Sequence, residues 1–194
     1  MAGLLAIDRY SKTAGYFVEY PEDIHLLGVS FNTQLGTSGW ALQGEYSYRM
    51  DAPLQIDDAE LFFAALTPLT FDPTTLRPCA NDFPYCRNQL GVFAPETYIQ
   101  GYIERDVSQI QATATKVFGP TLGADSLAFV AEAALMYVHD MPDKSELRLE
   151  GPGTQTSGEP FHSTPAGAHA GLPADPLDRF ADSTSYGYCS VLNK

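Results

Sequence analysis

The sequence predicts an all-β fold: an antiparallel up-and-down meander that forms part of a β-barrel, with one short helix and two long loops. Apolar and polar residues alternate over several segments of the chain, on both sides of short turns that contain glycine. This is the pattern of hairpin strands with one apolar and one polar face. Long connections alternate with the tight turns along the chain, as in a meander whose long loops gather at one end.

The predicted elements follow one another along a single domain that spans residues 1–194. The strands are predicted at about 23–35, 40–50, 100–118, 126–139 and 184–192, the helix at about 57–66, and the long loops at 67–96 and 140–182. Gly36 and Gly39 bracket the first turn, as a short hairpin loop requires. A second hairpin repeats this plan, and repeated hairpins suggest a meander that closes into a barrel.

The return strands of the two hairpins each carry one acid at the same place. Glu45 lies five residues after Trp40, and Glu132 lies five residues after Leu127. Side chains alternate across a strand, so an odd spacing puts the acid on the face opposite the apolar residue. The pattern therefore predicts apolar outer faces and single acids on the inner faces.

A short helix is predicted where the alternation stops, because Asp57 can cap a helix whose first turn holds Asp58 and Glu60. These three acids could also bind a cation, but charges at a helix start explain them without one. His162 and His169 lie in a loop rich in proline and glycine, where solvated histidines are more common than metal ligands. The sequence therefore predicts no metal and no cofactor.

Composition excludes several classes of function. The net charge is −13, with 24 acidic against 11 basic residues, which argues against a nucleic-acid partner because phosphate binding relies on lysine and arginine. No run of 18 apolar residues could form a membrane-spanning helix. No nucleophile or phosphate-loop motif is present, so an enzyme is not predicted. Cys79 and Cys86 could form a disulfide in an oxidising compartment, although two unrelated thiols are equally compatible.

Alternation alone does not say which solvent each face meets. A soluble secreted sandwich or barrel, binding a small apolar ligand, would put the apolar face inside; a membrane barrel would turn it to lipid. Three features favour the membrane barrel. The polar faces hold few charges, aromatic residues lie near strand ends, and the predicted strands are long enough to cross hydrocarbon.

Several blocks carry a family resemblance: "YFVEYPEDIHLLGVSFNT", "LQGEYSYRMDAPLQIDD", "YIERDVSQIQATATKVFG", "LGADSLAFVAEAALMYVHDMP" and "FADSTSYGY". Together they resemble a family of large outer-membrane β-barrel proteins of unknown function from Pseudomonas and related Gram-negative bacteria. The resemblance implies a porin-like or channel-like barrel that lies in the outer membrane, has the lipid bilayer as its partner and passes small or hydrophobic solutes. It further suggests cooperation with an inner-membrane transporter system.

The chain differs from a complete member in lacking a signal peptide and the N-terminal part of a barrel, and in ending with "YCSVLNK". The sequence therefore predicts an internal fragment of a longer protein. Unpaired strand edges are not tolerated in hydrocarbon. The fragment alone is not expected to be a functional pore.

Four charged residues are the candidates to face the lumen: Glu45, Arg49, Asp106 and Glu132. Charges in that position set the field that a passing solute meets. With acids in excess, a pore would prefer cations or neutral solutes. The alternative is that these side chains pair with one another or with residues of a plug.

Overall fold

The structure is a computed structural model that describes residue 12 and residues 15–68, 87–164 and 171–193. These residues form one five-stranded antiparallel sheet in the order β1-β2-β3-β4-β5. The elements are β1 (His25–Gln34), β2 (Trp40–Gln55), helix α1 (Asp58–Leu66), β3 (Tyr102–Phe118), β4 (Leu127–Val138), two short 3-10 helices (Pro160–Ser163 and Leu177–Arg179) and β5 (Thr184–Asn193). The predicted antiparallel meander with one short helix is confirmed, and the sheet is open between its edge strands β1 and β5, as expected of part of a barrel.

Contacts divide the described residues into two compact units. Unit 1 comprises the described residues within 1–21, 53–103 and 142–181, and unit 2 those within 22–52, 104–141 and 182–194. Unit 2 holds most of the sheet, and unit 1 holds the helix. The second strand also continues to Gln55 rather than ending near residue 50.

The turn between β1 and β2 is closed by local hydrogen bonds. The Leu35 N–H donates to the Trp40 carbonyl at 2.9 Å, and the Ser38 hydroxyl donates to the Leu35 carbonyl at 2.6 Å. Gly36 and Gly39 have φ angles of 51° and 75°, which favour glycine because other residues carry a Cβ that crowds the backbone there. The turn fixes a register that runs from His25 opposite Met50 to Gln34 opposite Ala41.

Strand β4 is paired along nearly its whole length on both sides. Its register with β3 runs from Val107 opposite Val138 to Phe118 opposite Leu127. On its other side Ala128 lies opposite Asn193.

Alternation and register give the sheet two faces of different chemistry. The Tyr46 hydroxyl lies 3.3 Å from the Ser108 hydroxyl, and the Trp40 ring packs edge-on against Phe129, so these side chains share a face. The apolar face, as we name it, carries Leu27, Val29, Phe31, Trp40, Leu42, Tyr46, Ile110, Phe129, Leu135, Tyr186 and Tyr188. The polar face carries Ser30, Asn32, Gln43, Glu45, Ser47, Arg49, Gln109, Gln111, Thr113, Glu132 and Ser185, together with the apolar side chains Leu26, Val117, Val130, Met136 and Val191.

Helix α1 begins as predicted, because the Asp57 side chain accepts the N–H of Glu60 and caps the first turn. Phe63 and Ala64 are buried while Phe62 is exposed. The helix therefore packs through Phe63, together with Ile56 and Leu149, into the small core of unit 1. An antiparallel bridge between Ile56 and Leu149 ties the start of the helix to the segment after residue 142.

Candidate functional site

Three of the four candidate lumen residues lie on the polar face. Glu45 and Arg49 alternate with Tyr46 and Tyr48 along β2, and Glu132 lies on the same side of β4. Glu132 accepts a hydrogen bond from the Gln111 amide at 3.0 Å. Within the described part of the chain, none of the three forms an ion pair.

Asp106 lies on the other face. Its carboxylate accepts the Tyr48 hydroxyl at 2.5 Å and the Asp51 N–H at 3.1 Å. The alternation of β3 already implies this position, because Asp106 has the same parity as Ile110 on the apolar face. Nearby, the Ser108 hydroxyl lies 2.7 Å from Nε2 of His139. Asp106 therefore belongs to a polar network at one end of the apolar face, apart from Glu45, Arg49 and Glu132.

Much of the apolar face is open to its surroundings. Val29 is 69% exposed, Phe31 58% and Tyr188 85%. All ten residues of β1 and all ten of β5 are exposed. In the described residues, no second layer covers these side chains.

Unit 1 contains an ion pair that is almost fully buried. Arg148 Nη1 lies 2.7 Å from Oε1 of Glu60, which is 1% exposed. The other Glu60 oxygen accepts the Gln89 N–H at 2.7 Å, and the Gln89 side chain accepts the Arg148 N–H at 2.7 Å. Glu60 is thus satisfied at both oxygens, as a buried charge requires.

A shallow cavity of about 250 Å³ adjoins this ion pair. Its lining is polar: Glu60, Arg87, Asn88, Gln89, Ser145, Arg148 and Glu159. Arg87 forms an ion pair with Glu159 at 3.3 Å, and both side chains are partly exposed. The charges in this cavity are therefore already matched in pairs.

Three further acids meet beside the start of helix α1. One carboxylate oxygen each from Asp57, Asp58 and Glu150 lies within 4.8 Å of the others. Burial raises the pKa of Asp57 to about 7; the Glu60 N–H opposes that rise, and the charges of Glu150, Glu60 and Asp58 add to it. From the sequence, Asp57, Asp58 and Glu60 were the acids that could bind a cation together. In the structure Glu60 is paired with Arg148, and the third carboxylate beside Asp57 and Asp58 is that of Glu150.

The carboxylate of Asp175, in the loop before β5, accepts hydrogen bonds from three donors. Asp175 accepts the N–H groups of Gln155 and Thr156 at 2.7 and 2.6 Å, and the Arg179 guanidinium at 2.7 Å. Burial alone raises its pKa, but these three donors outweigh that effect and the pKa of Asp175 is lowered. The loop is therefore organised around one carboxylate.

The histidines and cysteines singled out from the sequence lie partly within and partly outside the described residues. His162 is buried rather than solvated, because it stacks on Phe63 with ring centroids 3.7 Å apart and its Nδ1 lies 2.7 Å from the Ser157 hydroxyl. His169, Cys79 and Cys86 lie outside the described residues, so the predicted disulfide stays a prediction. Cys189 is a free, exposed thiol on β5.

The model of the family described as "Protein of unknown function (DUF1302)" matches residues 5–193. The chain belongs to the DUF1302 family. No curated protein and no solved structure matches it.

The charged contacts of unit 1 in this DUF1302 chain could not be predicted from local sequence. Glu60 and Arg148 are 88 residues apart, and Asp58 and Glu150 are 92 apart. No local sequence pattern indicates either pair, because contacts between residues so far apart in sequence depend on tertiary folding.

Among the described residues, no helix has the length and apolar character needed to span a bilayer.

Proposed function

We propose that this DUF1302 chain contributes neighbouring strands to the wall of an outer-membrane β-barrel of porin or channel type, which passes small or hydrophobic solutes. The exposure of the apolar face along strands of 10 to 17 residues carries the proposal. A tilted strand needs about 9 to 11 residues to cross the hydrocarbon of a bilayer. In this arrangement the apolar face meets lipid and the polar face lines the solute path.

The cost of leaving this face in water supports the proposal. Burying a valine, leucine or phenylalanine side chain contributes about 1.5 to 3 kcal/mol. Five such side chains left exposed therefore forgo on the order of 10 kcal/mol, comparable to the whole stability of an ordinary domain at about 5 to 15 kcal/mol. A soluble sandwich would recover this free energy by packing Val29 and Phe31 against a second sheet.

The edges of the sheet set a further condition. In a bilayer the N–H and C=O groups of an edge strand must be paired, since no water can satisfy them. The proposal therefore requires β1 and β5 to pair with further strands in the membrane. An inner-membrane transporter system is an additional proposed partner, suggested by the family resemblance alone.

The charges of the polar face bear on solute preference. Alternation places Arg105 on the same face as Arg49, so two guanidinium groups accompany the carboxylates of Glu45 and Glu132. This balance replaces the excess of acids expected from the sequence. We therefore propose weak charge selectivity and passage of neutral solutes.

Two adjacent residues of β1 provide a matched test of which face meets lipid. Trp40 is the single tryptophan, so Trp40→Phe gives a silent background into which Val29→Trp or Ser30→Trp is introduced. In vesicles with brominated acyl chains, we expect fluorescence to be strongly quenched for Val29→Trp and weakly for Ser30→Trp. Equal quenching, or an unquenched Val29→Trp chain that stays soluble without detergent, would contradict the proposal and favour a soluble ligand-binding fold.

The solute path is tested separately by planar-bilayer recording of a complete barrel whose wall includes these strands. Glu45→Arg adds positive charge to the polar face, and we expect the reversal potential to move toward anion preference. An unchanged reversal potential in a conducting Glu45→Arg channel would count against the polar face as the lining.

A further inference from the structure

The start of helix α1 holds a concentration of negative charge. Asp57, Asp58 and Glu150 contribute carboxylates with oxygens within 4.8 Å of one another. The buried guanidinium of Arg148 in the same unit is paired with Glu60 at 2.7 Å. None of the ion pairs among the described residues involves Asp57, Asp58 or Glu150.

Asp57 carries the second observation. Its side chain is 0% exposed, and its Oδ2 accepts the Glu60 N–H at 3.3 Å. The other oxygen, Oδ1, is buried and has no hydrogen-bond partner. A buried carboxylate oxygen without a donor is costly, and such a group calls for a bound species or a functional role.

The supporting contacts hold the other carboxylates in place. Glu150 Oε2 accepts the Asp58 N–H at 3.2 Å, and its Oε1 accepts the Thr154 hydroxyl at 2.6 Å. The Ile56–Leu149 bridge and the Glu150 N–H bond to the Gln55 carbonyl at 2.9 Å fix the backbone on both sides. Hydrogen bonds of this kind orient the carboxylates that ligate metals.

We propose that Asp57, Asp58 and Glu150 form a binding site for a divalent cation, best suited to Ca²⁺. Calcium–oxygen bonds of about 2.3 to 2.6 Å allow two ligand oxygens to be up to about 5 Å apart, which accommodates the separation of these carboxylates. Asp58 is exposed and Glu150 half-buried, so water completes the coordination. The site lies wholly within unit 1 and does not depend on the proposed barrel.

Calorimetric titration of the full chain with Ca²⁺, folded in a non-ionic detergent, tests the site. We expect one saturable site with a Kd of about 10⁻⁴ to 10⁻³ M, the range of modestly charged calcium modules, and weaker Mg²⁺ binding because Mg²⁺ demands stricter octahedral geometry. Calcium should also raise the melting temperature by mass action.

Variants that replace one carboxylate by the matching amide distinguish Ca²⁺ binding at this site from nonspecific attraction of Ca²⁺ by acidic residues. Asp57→Asn and Asp58→Asn should each weaken Ca²⁺ binding by on the order of tenfold or more, while Glu146→Gln, an exposed acid in the same unit, should leave the affinity unchanged. Asp58 is a surface residue, so its variant keeps the test decisive if Asp57→Asn fails to fold. Absence of saturable binding to the folded chain, or equal affinity in Asp58→Asn and Glu146→Gln, would overturn the proposal.

Discussion

Removing the charge of Glu60 should destabilise unit 1 strongly. At an effective dielectric constant of about 20, opposite unit charges about 4 Å apart attract by about 4 kcal/mol. The Glu60–Arg148 pair is nearer still, at 2.7 Å, and both residues are buried. In Glu60→Gln, Arg148 remains as an uncompensated buried charge, a change that costs about 3 to 5 kcal/mol.

The surface pair in the same unit provides the control. Arg87 and Glu159 lie 3.3 Å apart but are 48% and 21% exposed, and exposed pairs contribute about 0 to 1 kcal/mol. Glu159→Gln therefore makes the same chemical change with a much smaller expected effect. Urea unfolding of the folded chain, with each variant measured in the same detergent, compares the two free energies.

A double variant separates charge from packing. Replacing Arg148 by methionine in the Glu60→Gln chain removes the stranded charge, so we expect part of the lost stability to return. If Glu60→Gln costs no more than Glu159→Gln, the inference that burial makes this ion pair important is wrong.

Three further predictions concern the loops and the helix start. Folding raises the pKa of Asp57 from 3.8 to about 7, so the protonated carboxyl stabilises the fold fully below pH 4. This contribution is lost as the pH rises to about 7, and we expect the free energy of unfolding, measured with a calcium chelator present, to fall by on the order of 4 kcal/mol. Asp57→Asn should flatten this pH dependence. Gly151→Ala should lower the stability measured in thermal melts by about 1 to 3 kcal/mol, because a Cβ at this position would meet the Arg179 carbonyl. Gly119→Ala should change the stability little, because a Cβ at that position would have open space around it. Asp175→Ala should speed amide hydrogen exchange at Gln155 and Thr156, since it removes the acceptor of both N–H groups; unchanged protection would show that the carboxylate does not hold the loop.

The parts of the fold that depend on local contacts could be predicted from the sequence. The period of two in β1 and β2 predicts which side chains share a face, and the glycines at 36 and 39 predict the turn between them. The cap at Asp57 follows from the same kind of short-range signal. Each depends on residues only a few positions apart.

The candidate sites were harder to predict because they depend on distant contacts. Glu150 joins Asp57 only through the bridge between residues 56 and 149, and periodicity does not encode that pairing. His162 was expected in solvent for the same reason, because its stacking on Phe63 is long-range. Asp106 is different, because the alternation of β3 alone puts it on the same face as Ile110.

The double pairing of β4 limits how this protein can change in length. Deleting one residue within β4 would turn all following side chains to the opposite face and would break register with both β3 and β5 at once. Insertions and deletions in related chains should therefore fall in the connections between strands, such as residues 119–126, and spare β4.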